Sequence, residues 1–123
     1  MAKTITRLNV YIGYGASLSG SIDCGDGYIV GLVMPDVWTQ AQVSIQVSMN
    51  NTEFFDLFDF DLETRTTAKE VVFNVPPPGT MVAINPNTLL MAQYIKLRSG
   101  TRDAPIDQEK TCMFTLLTVD TVS

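Results

Sequence analysis

Apolar and polar residues alternate along this chain with a period of two, in short runs separated by turn residues, and that spacing predicts strands rather than helices. The clearest run covers residues 41–50, where Val43, Ile45, Val47 and Met49 share one face and Gln42, Ser44, Gln46 and Ser48 the other. A half-buried strand reads this way. Asn50-Asn51 follows, a pair that tolerates the left-handed backbone of a hairpin turn, and residues 53–62 resume the alternation. Within that second run the apolar phase changes, since Phe55 and Leu57 are odd-numbered whereas Phe58, Phe60 and Leu62 are even. One inserted residue sends every later side chain to the other face, so a bulge or bend is expected near Leu57 and Phe58.

Further strands are expected over residues 4–12, 28–34, 71–75, 80–84, 91–98 and 110–119. Several of their stops are legible: Pro35-Asp36, Pro76-Pro77-Pro78-Gly79 and Asn85-Pro86-Asn87 each close one, because proline donates nothing to a sheet ladder. Residues 35–40 have room for one short helical turn. The result is about eight strands with a turn signal roughly every ten residues, an all-β antiparallel β-sandwich of jelly-roll or Greek-key type. A parallel α/β sheet would need crossover helices, and helical spacing is almost absent. At 123 residues one core is enough, so a single domain is expected over 1–123. Residues 1–12 read either as its first strand or as an arm that adds a strand to a neighbour's sheet. Residues 13–27, with five of the eight glycines and three serines, read as a long flexible loop.

The last strand breaks the alternation: Cys112, Met113, Phe114, Leu116, Leu117 and Val119 leave little polar face. Such a strand is either central in its sheet or covered by another subunit, which makes a dimer or trimer an expectation.

Composition then removes function classes. The net charge is -5, and the eight Lys and Arg residues are scattered, so neither nucleic acid nor a membrane surface is an expected partner. No run approaches the roughly 18 apolar residues of a spanning helix, and the first residues lack a signal-peptide core. A cytosol-like compartment is expected, with Cys24 and Cys112 as free thiols and Cys112 a buried small hydrophobe. The absence of histidine removes the Ser-His-Asp and Cys-His triads and the commonest metal ligand together. Asp56, Asp59, Asp61 and Glu63 cluster in one run. They read as a paired-carboxylate site, as a Ca²⁺ site, or more simply as a charged strand edge that discourages pairing. Asp23-Cys24-Gly25-Asp26-Gly27 begins like a calcium loop, but Met34 stands where the bidentate Glu belongs, leaving a turn-rich surface loop. The glycines at 13–20 lack the Lys-Ser/Thr ending of a phosphate loop. No catalysis, cofactor or metal is expected.

Seven residues are candidate partner contacts. Ile5, Leu8 and Val10 lie on the first strand, and Arg98, Arg102 and Asp103 form a polar corner around Ser99-Gly100-Thr101. That corner grips a neighbour, or Arg98 pairs with an acid across its own sheet. Trp38, the single tryptophan, either stacks on a sugar or a partner's pocket or plugs one end of the sandwich.

Residues 28–119 carry a succession of segments: Gly31-Leu32-Val33-Met34-Pro35 before Trp38-Thr39, Val43-Ser44-Ile45-Gln46-Val47-Ser48 leading to Phe54-Phe55-Asp56-Leu57-Phe58-Asp59, Glu70-Val71-Val72, and Tyr94-Ile95-Lys96-Leu97-Arg98-Ser99-Gly100-Thr101 before Ala104-Pro105-Ile106-Asp107-Gln108. In these the chain resembles small phage capsid decoration or cement proteins with a jelly-roll fold, most specifically over 94–101. The resemblance implies a structural virion protein, made in the host cytoplasm, that sits on the capsid surface and bridges major capsid proteins. The same strand order also resembles carbohydrate-binding jelly rolls, so the alternative expectation is a glycan-binding module of a phage tail or fibre, with Trp38 and Tyr28 as platforms.

Overall fold

Every strand pairing in the computed structural model is antiparallel; the structure describes residues 2–60 and 66–122, with side chains over 4–60 and 66–120. The first sheet holds, in order, β1 (Ala2–Ile12), β11 (Cys112–Val122), β3 (Tyr28–Val33) and β9 (Met81–Ala83). The second holds β2 (Ile22–Asp23), β10 (Tyr94–Ser99), β4 (Val43–Ser48) and β5 (Phe55–Asp56), with β8 (Val72–Phe73) also on β4. A two-stranded ribbon, β6 (Phe58–Phe60) with β7 (Ala68–Glu70), lies off both. The pairing runs first with last: β1 with β11, β2 with β10, β3 with β9, and β4 with β5 and β8. That is an all-β, antiparallel arrangement in which strands early in the chain pair with strands late in it.

The core lies between the two sheets. Val10, Ile12, Leu32, Phe114 and Leu116 from the first pack with Val43, Ile45, Ile95 and Leu97 from the second. Alternation explains this: in β1 and β11 the even-numbered side chains Val10, Ile12, Cys112, Phe114 and Leu116 point in, and the odd-numbered ones point out. β11 is apolar on both sides because it is central, between β1 and β3. In β3 the partners of Leu117 and Thr118 are Gly31 and Ile29, so Val30 is skipped. This bulge lets Ile29 and Leu32 both face inward.

Several expectations change. β4 is not half-buried: Ser44 on its polar face is 0% exposed, because its hydroxyl donates to the Gly100 carbonyl (2.8 Å) and accepts from Arg98 Nε (2.9 Å). Ser48 is buried too, accepting from the backbone N–H groups of Asn50 and Asn51. The bend expected near Leu57 is a strand break. Leu57 donates its N–H to Ile45 O and accepts from Val71 N–H, after which the chain leaves β4 for the β6–β7 ribbon. The phenylalanines of this run are not inward; Phe55, Phe58 and Phe60 are exposed. Leu62, Asp61 and Glu63 lie outside the described residues.

Residues 13–27 do not form a free loop but run along β10. Ser19 N–H donates to Leu97 O, Ser99 N–H to Ser17 O and Cys24 N–H to Gln93 O, while Leu97 N–H donates to the Ser19 hydroxyl. Glycine there serves turns, as at Gly15 and Gly25 with positive φ. No helical turn forms at 35–40; the one helix among the described residues is a 3₁₀ turn at Pro86–Leu89. The Asn85 side chain caps it by accepting from Asn87 N–H, and Pro86 pre-sets its first turn.

Candidate partner-binding surface

Alternation aims a second set of side chains away from the core, on the outer face of the first sheet. Ile5, Arg7, Asn9 and Tyr11 of β1 stand opposite Val119, Leu117, Thr115 and Met113 of β11. Beyond them, Val33 of β3 faces Met81 of β9. Gly31 supplies the space that Leu117 occupies, since a Cβ there would come within 3.3 Å of its methyl group. Ile5, Arg7, Val33, Met81, Thr115 and Leu117 line one shallow depression on this face. Ile5 is 61% exposed and Met81 65%, and Tyr11 and Met113 are also exposed. The Thr115 hydroxyl donates to Asn9 Oδ1 within the face (3.2 Å), whereas Arg7 makes no ion pair among the described residues. An exposed, contiguous apolar sheet face around one unmatched cation has the make-up of a protein-binding surface.

The polar corner has a different role. The Arg98 side chain, 8% exposed, donates from Nη1 to Asp56 Oδ1 (2.8 Å) and from Nη2 to Glu70 Oε2 (2.7 Å). With Ser44 on Nε, one guanidinium therefore joins β10, β4, β5 and β7, which is the pairing-across-the-sheet reading of Arg98. Burial pushes the Asp56 carboxyl up, but hydrogen bonds from Arg98 and Gln46 and the charges of Arg98 and Arg102 outweigh it and hold it below its ordinary value. Arg102 N–H donates to both Glu70 oxygens, and Arg102 Nε lies 3.4 Å from Asp56 Oδ2. Arg102 and Asp103 are exposed. Of the carboxylate run, Asp56 is thus committed to arginines, and Asp59 sits opposite Lys69 in the ribbon; Asp61 and Glu63 lie outside the described residues.

The seven candidates do not converge. Ile5 is on the outer face, Leu8 is half-buried at the sheet edge, and Val10 is 1% exposed, so it belongs to the core and not to a contact surface. Trp38 is 8% exposed, with its ring edge-to-face on Phe114 (centroids 5.7 Å apart, planes at 81°), so it is the plug rather than the platform. Arg98 is likewise buried. Val33, Met81 and Leu117 were missed as members of a surface, although the two-sided apolar character of β11 was its sequence signal. A second apolar spot opens at the end of the sandwich, where Val47, Met49, Phe55 and Met91 line a cleft.

The remaining polar features are structural. Both cysteines are free and buried. Burial, with the Asp23 charge, pushes the Cys24 thiol up to about 11, and burial also raises Cys112, so neither presents a thiolate. Asp23 Oδ1 accepts from Gly25 N–H (2.9 Å) and Gln93 Nε2 (2.6 Å), which lowers its carboxyl, the Gly25 bond most. The loop at 23–27 is an Asx turn on the surface.

No family model matches the sequence, and no curated protein matches it. In fold, the chain is similar to the crystal structure of the SPBc2 prophage-derived protein YomS, with a TM-score of 0.54 over 95% of this chain and 96% of that one, at 8% identity. At that identity the likeness is one of fold.

Proposed function

We propose that this chain is a structural virion protein that binds the outside of a phage capsid and bridges or stabilises major capsid proteins there. The observation that carries the reading is the outer face of the first sheet: a largely apolar depression from Ile5 to Met81, with Arg7 unmatched among the described residues. Such a face suits a flat lattice of repeated subunits, on which one modest contact is multiplied by symmetry. Arg7 would meet a carboxylate of the shell. The net charge of -5 keeps the chain soluble before assembly. The likeness in fold to a prophage-derived protein supports the same reading, as does the resemblance centred on residues 94–101. The protein would be made in the host cytoplasm and carried on the virion, without catalysis.

The glycan-binding alternative has less to stand on, because Trp38 is covered and only Tyr28 of its two platforms is exposed. Co-sedimentation of the purified protein with expanded, undecorated phage capsids tests the proposal. Saturable pelleting with the shells is expected; no binding, together with a glycan-dependent change in tyrosine or tryptophan fluorescence, favours the alternative.

A further inference from the structure

We infer that the free edge of β1 is a strand-pairing site for a second copy of this chain, giving a two-fold dimer in which two first sheets join into one. The inference starts from how unequally the fold treats its sheet ends. β9 has three residues, flanked by Pro76-Pro77-Pro78-Gly79 on one side and Asn85-Pro86 on the other. β2, β5 and β8 have two residues each. Short strands and prolines are how natural sheets blunt an edge. β1 has neither: it runs eleven residues without proline, glycine or bulge, in unbroken register with β11, and no described residue pairs with its other side. Half of its backbone N–H and C=O groups therefore face outward in a straight row, which is a template for another strand.

The sequence of β1 selects both the occupant and the register. Opposed residues in a sheet share a face, so two antiparallel copies keep their inner faces on one side only where even-numbered residues meet even and odd meet odd. The register centred on Arg7 sets two arginines opposite each other and is disfavoured. The next one, centred on Leu8, gives every residue from 4 to 12 a partner. Leu8 meets Leu8 of the second copy, Ile5 meets Tyr11, Arg7 meets Asn9, and Thr6 meets Val10. Leu8, left half-buried at the open edge of the sandwich, is then covered, and exposed Ile5 and Tyr11 pack on one another. Edge pairing alone is a small contact, so the dimer is concentration-dependent. The inference stands on the edge and not on the capsid reading. Should both hold, the dimer presents two copies of the apolar face as one continuous surface.

Cysteine cross-linking of the full chain tests it. Opposed Cα atoms in an antiparallel pair lie about 4.5–5.5 Å apart, within disulfide reach, and the buried native thiols give no background. Leu8→Cys should form a disulfide-linked dimer on mild oxidation, whereas Thr6→Cys should not. Because Leu8 is half-buried, a second arm uses exposed positions: Ile5→Cys mixed with Tyr11→Cys should cross-link, and each alone should not. Light scattering of the unmodified protein should show a mass rising towards twice 13.5 kDa with concentration. A constant monomer mass with no cross-linking above the Thr6→Cys control overturns the inference, and a dimer that cross-links at other positions overturns its register. Neither outcome bears on capsid binding, which co-sedimentation measures separately.

Discussion

Gln108 and Thr39 close a two-way hydrogen bond across the end of the sandwich. Gln108 Nε2 donates to Thr39 O (2.9 Å), and Gln108 Oε1 accepts from Thr39 N–H (2.8 Å). Gln108 is fully buried, and its side chain stands in for a strand partner, fixing the segment that carries Trp38 against Phe114. Gln108→Ala should therefore leave two partly buried backbone groups of Thr39 unmatched and cost about 1–3 kcal/mol. Urea unfolding measures that loss, and a red-shifted Trp38 emission in the folded state would show that the plug has loosened.

Arg98 holds a second polar junction, with Asp56, Glu70 and Ser44 on its three nitrogens. Arg98→Ala should destabilise by about 1–3 kcal/mol, because it removes a charge-assisted hydrogen bond from each of two partly buried carboxylates and leaves them only their Arg102 and Gln46 contacts. Arg98→Lys should recover only part of this, since a single ammonium cannot reproduce the planar fork. Thermal unfolding of the two variants gives the comparison.

The depressed Asp56 carboxyl predicts a pH dependence. A group whose folded pKa lies below its unfolded value stabilises the fold above the unfolded value, here the ordinary 3.8, and loses that contribution as pH falls through the folded value. The melting-temperature gap between the unmodified protein and Asp56→Asn should be widest near neutrality and shrink below about pH 4. A gap that stays constant to pH 3 would count against the Asp56 pairing.

Gly100 turns the corner between β10 and the segment after it, at φ 92°. A side chain there would be strained and would drive into the Ala104 carbonyl oxygen. Gly100→Ala should cost about 1–3 kcal/mol, readable as a shift in the urea midpoint at unchanged slope.

Much of the fold was legible because it rests on period-two alternation. Val43, Ile45, Ile95 and Leu97 follow from spacing and turn residues alone, as does an irregularity near Leu57, although a bulge or bend was expected there and not a strand break. Ser44 and Ser48 were misread, since a serine on a strand looks solvated until Arg98 and the Asn50 turn are known to cover it. The segment 13–27 was misread for a related reason: glycine marks turns, but its pairing with β10 is a contact far along the chain. Val10 was named a contact because the parity of β1 relative to the core was open; pairing with Phe114 fixes it. The surface was less legible than the core. Leu117, Val33 and Met81 meet only through three separate strands, and the bulge at Val30 that turns Gly31 and Val33 outward leaves no mark in the sequence.

The central claim is that the outer face of the first sheet docks the chain onto a capsid shell. Met113→Lys with Met81→Lys places two charges on that face at exposed positions away from the β1 edge, where they should leave the melting temperature nearly unchanged. Titrated against expanded, undecorated capsids in a co-sedimentation assay, this double variant should bind more weakly by on the order of tenfold or more. Arg102→Ala, in the turn after β10, should bind like the unmodified protein. Equal binding by the double variant, or loss of binding in Arg102→Ala alone, would contradict the account.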